Sequence, residues 1–283
     1  YGKLSDFAEE VKMIPLEFTD DCILGEIEKI VMSDSCIFIM EGDNQKGIYV
    51  FDHTGKYLYR IGSRGQGPEE FVDLSDFSLN EEERLIYLYD LARTKVLVFS
   101  FEGDFIKDIQ MNYYADNFEY QNGLFYLYRE NVVYGDPLYS LVIKDDKGKT
   151  VNKYYPVIEK LSYTHDCIFR KLDNEILFVE DMRDSIFSLR GDKLTPRYFV
   201  DYKDKSMSKV DRKSILKRTR EPLIVQQENL QSAIDKGFKY WQKEGLLAAE
   251  RAEELKNMIE ERFPDRNNIG ETNPVLFLLK VKK

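Results

Sequence analysis

Phe51-Asp-His-Thr-Gly-Lys-Tyr-Leu-Tyr-Arg-Ile61 and Phe99-Ser-Phe-Glu-Gly-Asp-Phe-Ile-Lys-Asp-Ile109 are two copies of one pattern. Each has the end of an apolar strand, a polar turn centred on glycine, and a second strand with alternating apolar positions. The pattern returns in Ile143-Lys-Asp-Asp-Lys-Gly-Lys-Thr-Val-Asn-Lys-Tyr154, and in worn form in Phe187-Ser-Leu-Arg-Gly-Asp-Lys-Leu-Thr195. The turn glycines, Gly55, Gly103, Gly148 and Gly191, are 48, 45 and 43 residues apart. A period in the forties with several short strands per unit is what the blades of a β-propeller produce.

Each unit carries an earlier apolar run: Cys36–Met40, Leu85–Tyr89, Leu124–Tyr128 and Ile176–Val179. These runs are continuous rather than alternating, as expected of strands packed on both faces between neighbouring blades. Ahead of them lie Ile27–Val31, Asp76–Leu79, Asn117–Tyr120 and Asp166–Phe169, which are read as the innermost strands. The sequence therefore predicts an all-β propeller of four-stranded antiparallel blades in a single domain over residues 1–283, with four blades between Gly25 and Asp201. One unit alone cannot shield both faces of its sheet, so neighbours must stack. Val11–Phe18 and Asn273–Val281 are orphan strands at the two ends, expected to pair in one blade and close the ring. Pro15 fits an edge there, because proline donates no ladder hydrogen bond.

Between Asp201 and Asn273 the pattern changes. Ser208–Asp211 resembles a capping box, and Asp211–Arg220 reads helical until Pro222. From Gln226 to Phe263 apolar residues recur at helical spacing, with Gly245 dividing two helices and Pro264 ending the second. A helical insertion over 208–264 is the expectation, with Trp241 as an anchor either on the propeller or on a partner.

Composition narrows the function classes. The chain has 283 residues, 19 Tyr and 18 Phe against one Trp, and a formal charge of −10. An acidic surface disfavours nucleic acid and polyanionic membranes, which need a concentrated basic field. No run approaches a membrane span; Val275–Leu279 reads as a strand. The opening at Tyr1 without Met is read as the trace of a removed signal peptide, lipid anchor or tag. Cys22, Cys36 and Cys167 are too few for a disulfide framework or zinc site, and are read as small buried hydrophobes, with a Cys22–Cys36 bridge as the other reading.

The segment Ile61-Gly-Ser-Arg-Gly-Gln-Gly-Pro-Glu-Glu-Phe71 resembles the blade-connecting loop of NHL-type propellers. With Met13-Ile-Pro-Leu-Glu17, Cys22-Ile-Leu-Gly-Glu-Ile27 and Asn273-Pro-Val-Leu276, it is similar to a six-bladed family of mostly uncharacterised secreted bacterial lipoproteins. That resemblance implies six blades and an extracytoplasmic, periplasmic or outer-membrane-associated place in a Gram-negative bacterium. The residues themselves display four blades plus shared end strands. Five blades, or six with residues lacking near 220–226, remain open.

The candidate sites each have a plain structural alternative. Gly62, Gly65 and Gly67 could be taken for a phosphate cradle, yet strands rather than a strand and helix flank them, so a close inter-blade crossing is the better reading. Arg64 and Gln66, in the same loop, are ligand-binding candidates at a propeller mouth. His53 is expected in an exposed turn and His165 opens the fourth unit. Propeller lyases of the NHL class use histidine-rich metal sites, which two histidines in unlike positions do not supply. Asp20/Asp21, Glu69/Glu70 and Glu81–Glu83 lack calcium-loop spacing and read as solvated turns. The Ser/Asp/Gly/Thr/Trp repeat of sialidase-type propellers is absent. Tyr113, Tyr114 and Tyr134, together with Tyr154 and Tyr155, lie near strand ends, where tyrosines either pack between blades or offer flat plates to sugars and peptides. No catalytic, metal or cofactor constellation emerges. The leading expectation is an extracytoplasmic binding or scaffold propeller for a protein, peptide or glycan; the alternative is a glycan hydrolase or lyase using carboxylates at the central channel.

Overall fold

A computed structural model describes residues 8–42, 47–129, 139–156, 168–172, 174–179, 185–200 and 275–281. The chain enters with β1 (Ala8–Pro15) and then builds four antiparallel sheets of four strands, each in simple up-and-down order. The first blade is β2 (Ile27–Met32), β3 (Ile37–Glu41), β4 (Gly47–Phe51) and β5 (Tyr57–Ile61). The second is β6 (Leu74–Asn80), β7 (Leu85–Asp90), β8 (Lys95–Ser100) and β9 (Phe105–Gln110). The third is β10 (Asn117–Gln121), β11 (Leu124–Tyr128), β12 (Tyr139–Asp145) and β13 (Thr150–Pro156). The fourth is β14 (Phe169–Leu172), β15 (Glu175–Val179), β16 (Ser185–Arg190) and β17 (Lys193–Phe199). The leading strands β6, β10 and β14 touch one another, which puts the first strand of each blade at the axis.

The core lies between blades rather than inside any one of them. In β3, Ile37 and Ile39 face one apolar cluster, shared with Ile14 and Leu16, while Phe38 and Met40 face another, shared with Phe77, Leu88 and Phe101. The next interface joins Tyr87, Tyr89 and Val98 to Phe118, Phe125 and Leu127. The following one joins Tyr126, Tyr128 and Leu141 to Phe169, Ile176 and Phe178. Alternate residues of each second strand thus enter opposite interfaces, the physical reason those runs are apolar throughout. Flat aromatic rings fill the gaps at tilted or edge-on angles, as between Phe38 and Phe101, 4.8 Å apart.

Three of the four turn glycines, Gly55, Gly103 and Gly148, keep one relation to the preceding sheet, whereas Gly191 has open space around it. A Cβ on Gly148 would come within 2.1 Å of the Gln110 carbonyl oxygen in β9, and one on Gly103 would approach Ile61 in β5. By the same relation Gly55 abuts β1, where the Pro15 carbonyl oxygen would lie 2.1 Å from an added Cβ. β1 therefore stands to the first blade as β5 stands to the second: it is the outer strand of a preceding sheet. Its partner is the C-terminal strand β18 (Val275–Val281), antiparallel in the register Pro15↔Val275 to Val11↔Leu279. Gly55 also has φ of +91°, where an L side chain is strained. Gly55→Ala is expected to cost about 1–2 kcal/mol from the backbone alone, with the carbonyl clash added. Gly191→Ala, also at positive φ but with open space around it, is expected to cost only the backbone part; thermal melting of the two variants checks the difference.

Several expectations are corrected. The entry strand ends at Pro15 rather than Phe18, because the Glu17 amide leaves the ladder to donate to the Gly55 carbonyl at 2.7 Å. The fourth inner strand runs Phe169–Leu172, not Asp166–Phe169; it is polar because it meets charged neighbours at the axis. Cys22 and Cys36 are buried as small hydrophobes, as expected, in clusters on opposite faces of the first blade and with no disulfide between them. His53 is half-buried, its Nε2 lying 3.1 Å from the Ser33 carbonyl oxygen. The helical stretch 208–264, Tyr134, His165 and Cys167 lie outside the described residues. Among the described residues no helix is long and apolar enough to cross a membrane.

Candidate functional site

Antiparallel strands give each blade two ends with different chemistry. One end carries the loops that connect blades and the turns between second and third strands. The other carries the turns between first and second strands, which open on a cavity of about 1170 Å³. Lys29, Asn80, Glu83, Glu119, Arg170 and Lys171 are among its lining residues.

The floor of that cavity is a charged network crossing the axis. The Lys29 ammonium of the first blade donates to Asp76 Oδ1 and to the Phe77 carbonyl, both at 2.7 Å. Asp76, in the second blade, also accepts from the Phe77 amide at 2.7 Å and, through Oδ2, from the Phe118 amide of the third blade at 2.8 Å. Ser78 donates to Glu119 of the third blade and accepts from the Tyr120 amide at 3.1 Å. From the fourth blade, Lys171 reaches Glu119 at 3.1 Å and the Leu79 carbonyl at 2.6 Å. Four blades are thus tied by two cations and two carboxylates, with Asp76 bound at both oxygens and Glu119 at Oε1. Burial raises the Asp76 carboxyl above its ordinary value, against the pull of Lys29. Burial also works to raise Glu119, but Lys29, Lys171 and the Ser78 hydroxyl together hold it below its ordinary value.

The Glu119 shift has a sign that can be tested. A depressed folded-state value means that its stabilisation is present above the ordinary glutamate range and is lost as the pH falls below it. The melting temperature is expected to drop on acidification through that range, and Glu119→Gln to flatten this limb; melts at successive pH values check it.

The connector end holds the other candidates. Arg64 and Gln66 sit exposed in the loop between β5 and β6. This loop is held from below: Arg93 donates to the Glu70 carbonyl at 2.7 Å, to the Gly65 and Gly67 carbonyls at 3.4 Å each, and to Gln66 Oε1 at 3.3 Å. Gly62 has φ of +71°. A Cβ on Gly65 would run into the Glu70 carboxylate, which itself accepts from the Gly67 amide at 2.7 Å. The glycines serve a tight inter-blade crossing.

Tyr113 and Tyr114 occupy the corresponding loop between β9 and β10. Tyr113 is partly buried and donates to the Tyr139 carbonyl at 2.5 Å, and burial pushes its phenol well up. Tyr114 is 45% exposed. The guanidinium of Arg129 lies 5.6 Å from the centre of the Tyr113 ring and 5.4 Å from that of Tyr114. Arg129 itself is only 7% exposed, and its Nε has no hydrogen-bond partner. Among the described residues no hydrogen bond or ring contact joins the Arg64/Gln66 pair to the tyrosine pair. Tyr154 and Tyr155 instead pack between blades, Tyr154 donating to the Asp192 carbonyl at 2.8 Å and Tyr155 lying 6.1 Å from Phe178.

Sequence reading missed Lys29, Asp76, Glu119, Lys171, Arg93 and Arg129. A signal for Arg129 was present: Leu85-Ile-Tyr-Leu-Tyr-Asp90 aligns with Leu124-Phe-Tyr-Leu-Tyr-Arg129, so one repeat reverses the charge of the other. Among the described residues no group of three His, Cys, Asp or Glu is placed to hold a metal ion.

Residues 2–277 match the model of a family described as Domain of unknown function (DUF4934). No curated protein matches. Among solved structures, the chain is similar to a protein from Bacteroides fragilis NCTC 9343 to which export is ascribed, with a TM-score of 0.60 and 20% identity over 68% of this chain. It is also similar to a member of the DUF4221 family from Bacteroides vulgatus ATCC 8482, with a TM-score of 0.49 and 12% identity over 71% of this chain. Virginiamycin B lyase from Staphylococcus aureus follows with a TM-score of 0.42 and 16% identity over 66% of this chain. The chain spans 55%, 64% and 59% of the length of these three proteins, respectively.

Proposed function

We propose that this chain, which belongs to the DUF4934 family, is an extracytoplasmic binding or scaffold propeller that recognises a protein, peptide or glycan at the connector end of its blades. The observation that carries this reading is the state of the axial carboxylates. Asp76 is bound at both carboxylate oxygens, by Lys29 and by the Phe77 and Phe118 amides, and Glu119 is bound at Oε1 by Ser78, the Tyr120 amide and Lys171, so both carboxylates are engaged in holding blades together. A general acid and base must instead present a titratable oxygen to substrate. Export ascribed to the Bacteroides fragilis protein supports a place outside the cytoplasm, and a charge of −10 supports a partner other than nucleic acid. A lipid anchor ahead of Tyr1 and a Gram-negative envelope belong to the same reading. We read the ring as NHL-like and six-bladed, with β1 and β18 supplying outer strands of the closing blade.

A glycan and peptide array on the pure protein, run beside turnover assays on the same panel, tests the proposal. Saturable binding without product is the expected result. Product formation that Asp76→Asn or Glu119→Gln abolishes, in a variant that still melts cooperatively, would transfer the function to the axis.

A further inference from the structure

We propose that Arg129, between Tyr113 and Tyr114, is the carboxylate-binding centre of a uronic-acid subsite on the connector end. The inference rests on the binding role proposed above and gives it a residue and a ligand class.

Equivalent positions in adjacent repeats hold opposite charges, Asp90 and Arg129. Asp90 in the second blade is fully buried and fully used: its carboxylate accepts from the Val72 amide at 3.1 Å and the Asp73 amide at 3.2 Å, and faces Arg93 at 3.7 Å. The acid therefore fastens its own connector loop. In the third blade the same strand position holds Arg129. The backbone role is kept, since the Arg129 amide donates to the Ser140 carbonyl at 2.9 Å. The side chain has no such employment. Among the described residues it forms no ion pair, and its enclosed Nε has no acceptor. Asp116 and Tyr89 act on it through space, and the rings of Tyr113 and Tyr114 face its guanidinium.

A guanidinium placed so deep without a paired acid is costly, because the charge of Asp116, acting without an ion pair, repays removal from water only in part. Aromatic faces recover part of that cost and fix the planar group. Among the described residues no acceptor meets its in-plane N–H donors, Nε included, the edge that matches a carboxylate in bidentate fashion. Among the described residues no acid completes the pair, and the acid assigned to it here is the ligand's. Tyr114, half-exposed beside the cation, adds a flat apolar plate with a hydroxyl at its edge, which suits the C–H face of a sugar ring. A hexuronic acid carries both features on one rigid ring. The chain's net charge of −10 repels polyanions at a distance, so recognition is by contact with one or two carboxylates rather than by long-range steering.

Trigalacturonate is the probe, with its methyl ester, neutral galactotriose and an acetylated glutamate tripeptide as comparison arms, each titrated into the full chain. Trigalacturonate is expected to bind saturably and raise the melting temperature. The ester and Arg129→Gln are each expected to weaken binding roughly tenfold or more. Arg129→Lys should retain more affinity than Arg129→Gln, and Tyr114→Ala should lose affinity for the sugar. The decisive readout is Arg129→Leu in the absence of ligand: a residue reserved for ligand predicts a melting temperature equal to or above the parent's, whereas a structural arginine predicts a clear fall. If Arg129→Leu does not fold, the proposal fails on that result, while the ester comparison on the parent protein separately decides the ligand class. Equal binding of ester and acid, or preference for the peptide, would overturn the subsite. Silence of all four probes with hits elsewhere on the array would sink this inference and spare the binding role; silence of the whole array would sink both.

Discussion

Asp76→Ala is expected to lower the free energy of unfolding by about 3–5 kcal/mol, the scale on which breaking one partner of a buried ion pair acts. Three donors lose their acceptor together: the Lys29 ammonium and the amides of Phe77 and Phe118. Lys29 keeps its bond to the Phe77 carbonyl, but its charge at the axis is left without that carboxylate. Because the donors belong to three successive blades, the damage is not confined to the second. Asp76→Asn retains an oxygen acceptor and should cost less, about 1.5–3 kcal/mol for weakened bonds to what was a charged group. Combining Asp76→Asn with Lys29→Met removes the cation that has lost this carboxylate, and the pair should be less destabilised than the sum of the single variants. Urea unfolding of the parent, the three single variants and the double variant measures this. A cost below about 1 kcal/mol for Asp76→Ala would mean that the axial network is not what holds the blades in register.

How far the sequence could be read follows from which interactions are local. The turn glycines, the two-faced apolar runs and the inner strands of the first three blades obey patterns within a few residues, so the repeat and its propeller arrangement could be read directly. The fourth inner strand misled because Arg170 and Lys171 carry no apolar signature; their place is set by Glu119 and Leu79, far away in the chain. The axial network was invisible for the same reason. Lys29, Asp76, Glu119 and Lys171 sit in unrelated local contexts and meet only when four sheets converge on one line. The connector candidates were easier to locate than to interpret. Arg64, Gln66, Tyr113 and Tyr114 all fall on the connector end, but only comparison of Asp90 with Arg129 separates a loop that fastens itself from one with a cation to spare.

Phe118→Ala should cost about 3–5 kcal/mol, the range for deleting a buried aromatic ring. Phe118 is fully buried at the head of the third blade, 5.4 Å from the Tyr89 ring of the second and 6.4 Å from Phe125 in its own sheet. Its amide is also bound by Asp76, so neither side chain nor backbone can shift to fill the void without loosening the axial network. A limited collapse keeps the cost near the upper end of that range. The consequence is specific to a structure whose core lies between sheets. If each blade were an independent unit, the variant would weaken only β10 and its neighbours in the third sheet. Stacked sheets share every interface, so amide exchange should accelerate at Ile86–Tyr89 as much as at Phe125–Leu127, while Ile37–Ile39, two interfaces away on the side facing β1, retain their protection. Tyr89→Leu should reproduce the pattern more mildly, and the double variant should fall short of additivity by about 0.5–3 kcal/mol, since the two rings line one cavity. Acceleration confined to the third sheet would show that its faces are shielded by something other than the adjoining blade.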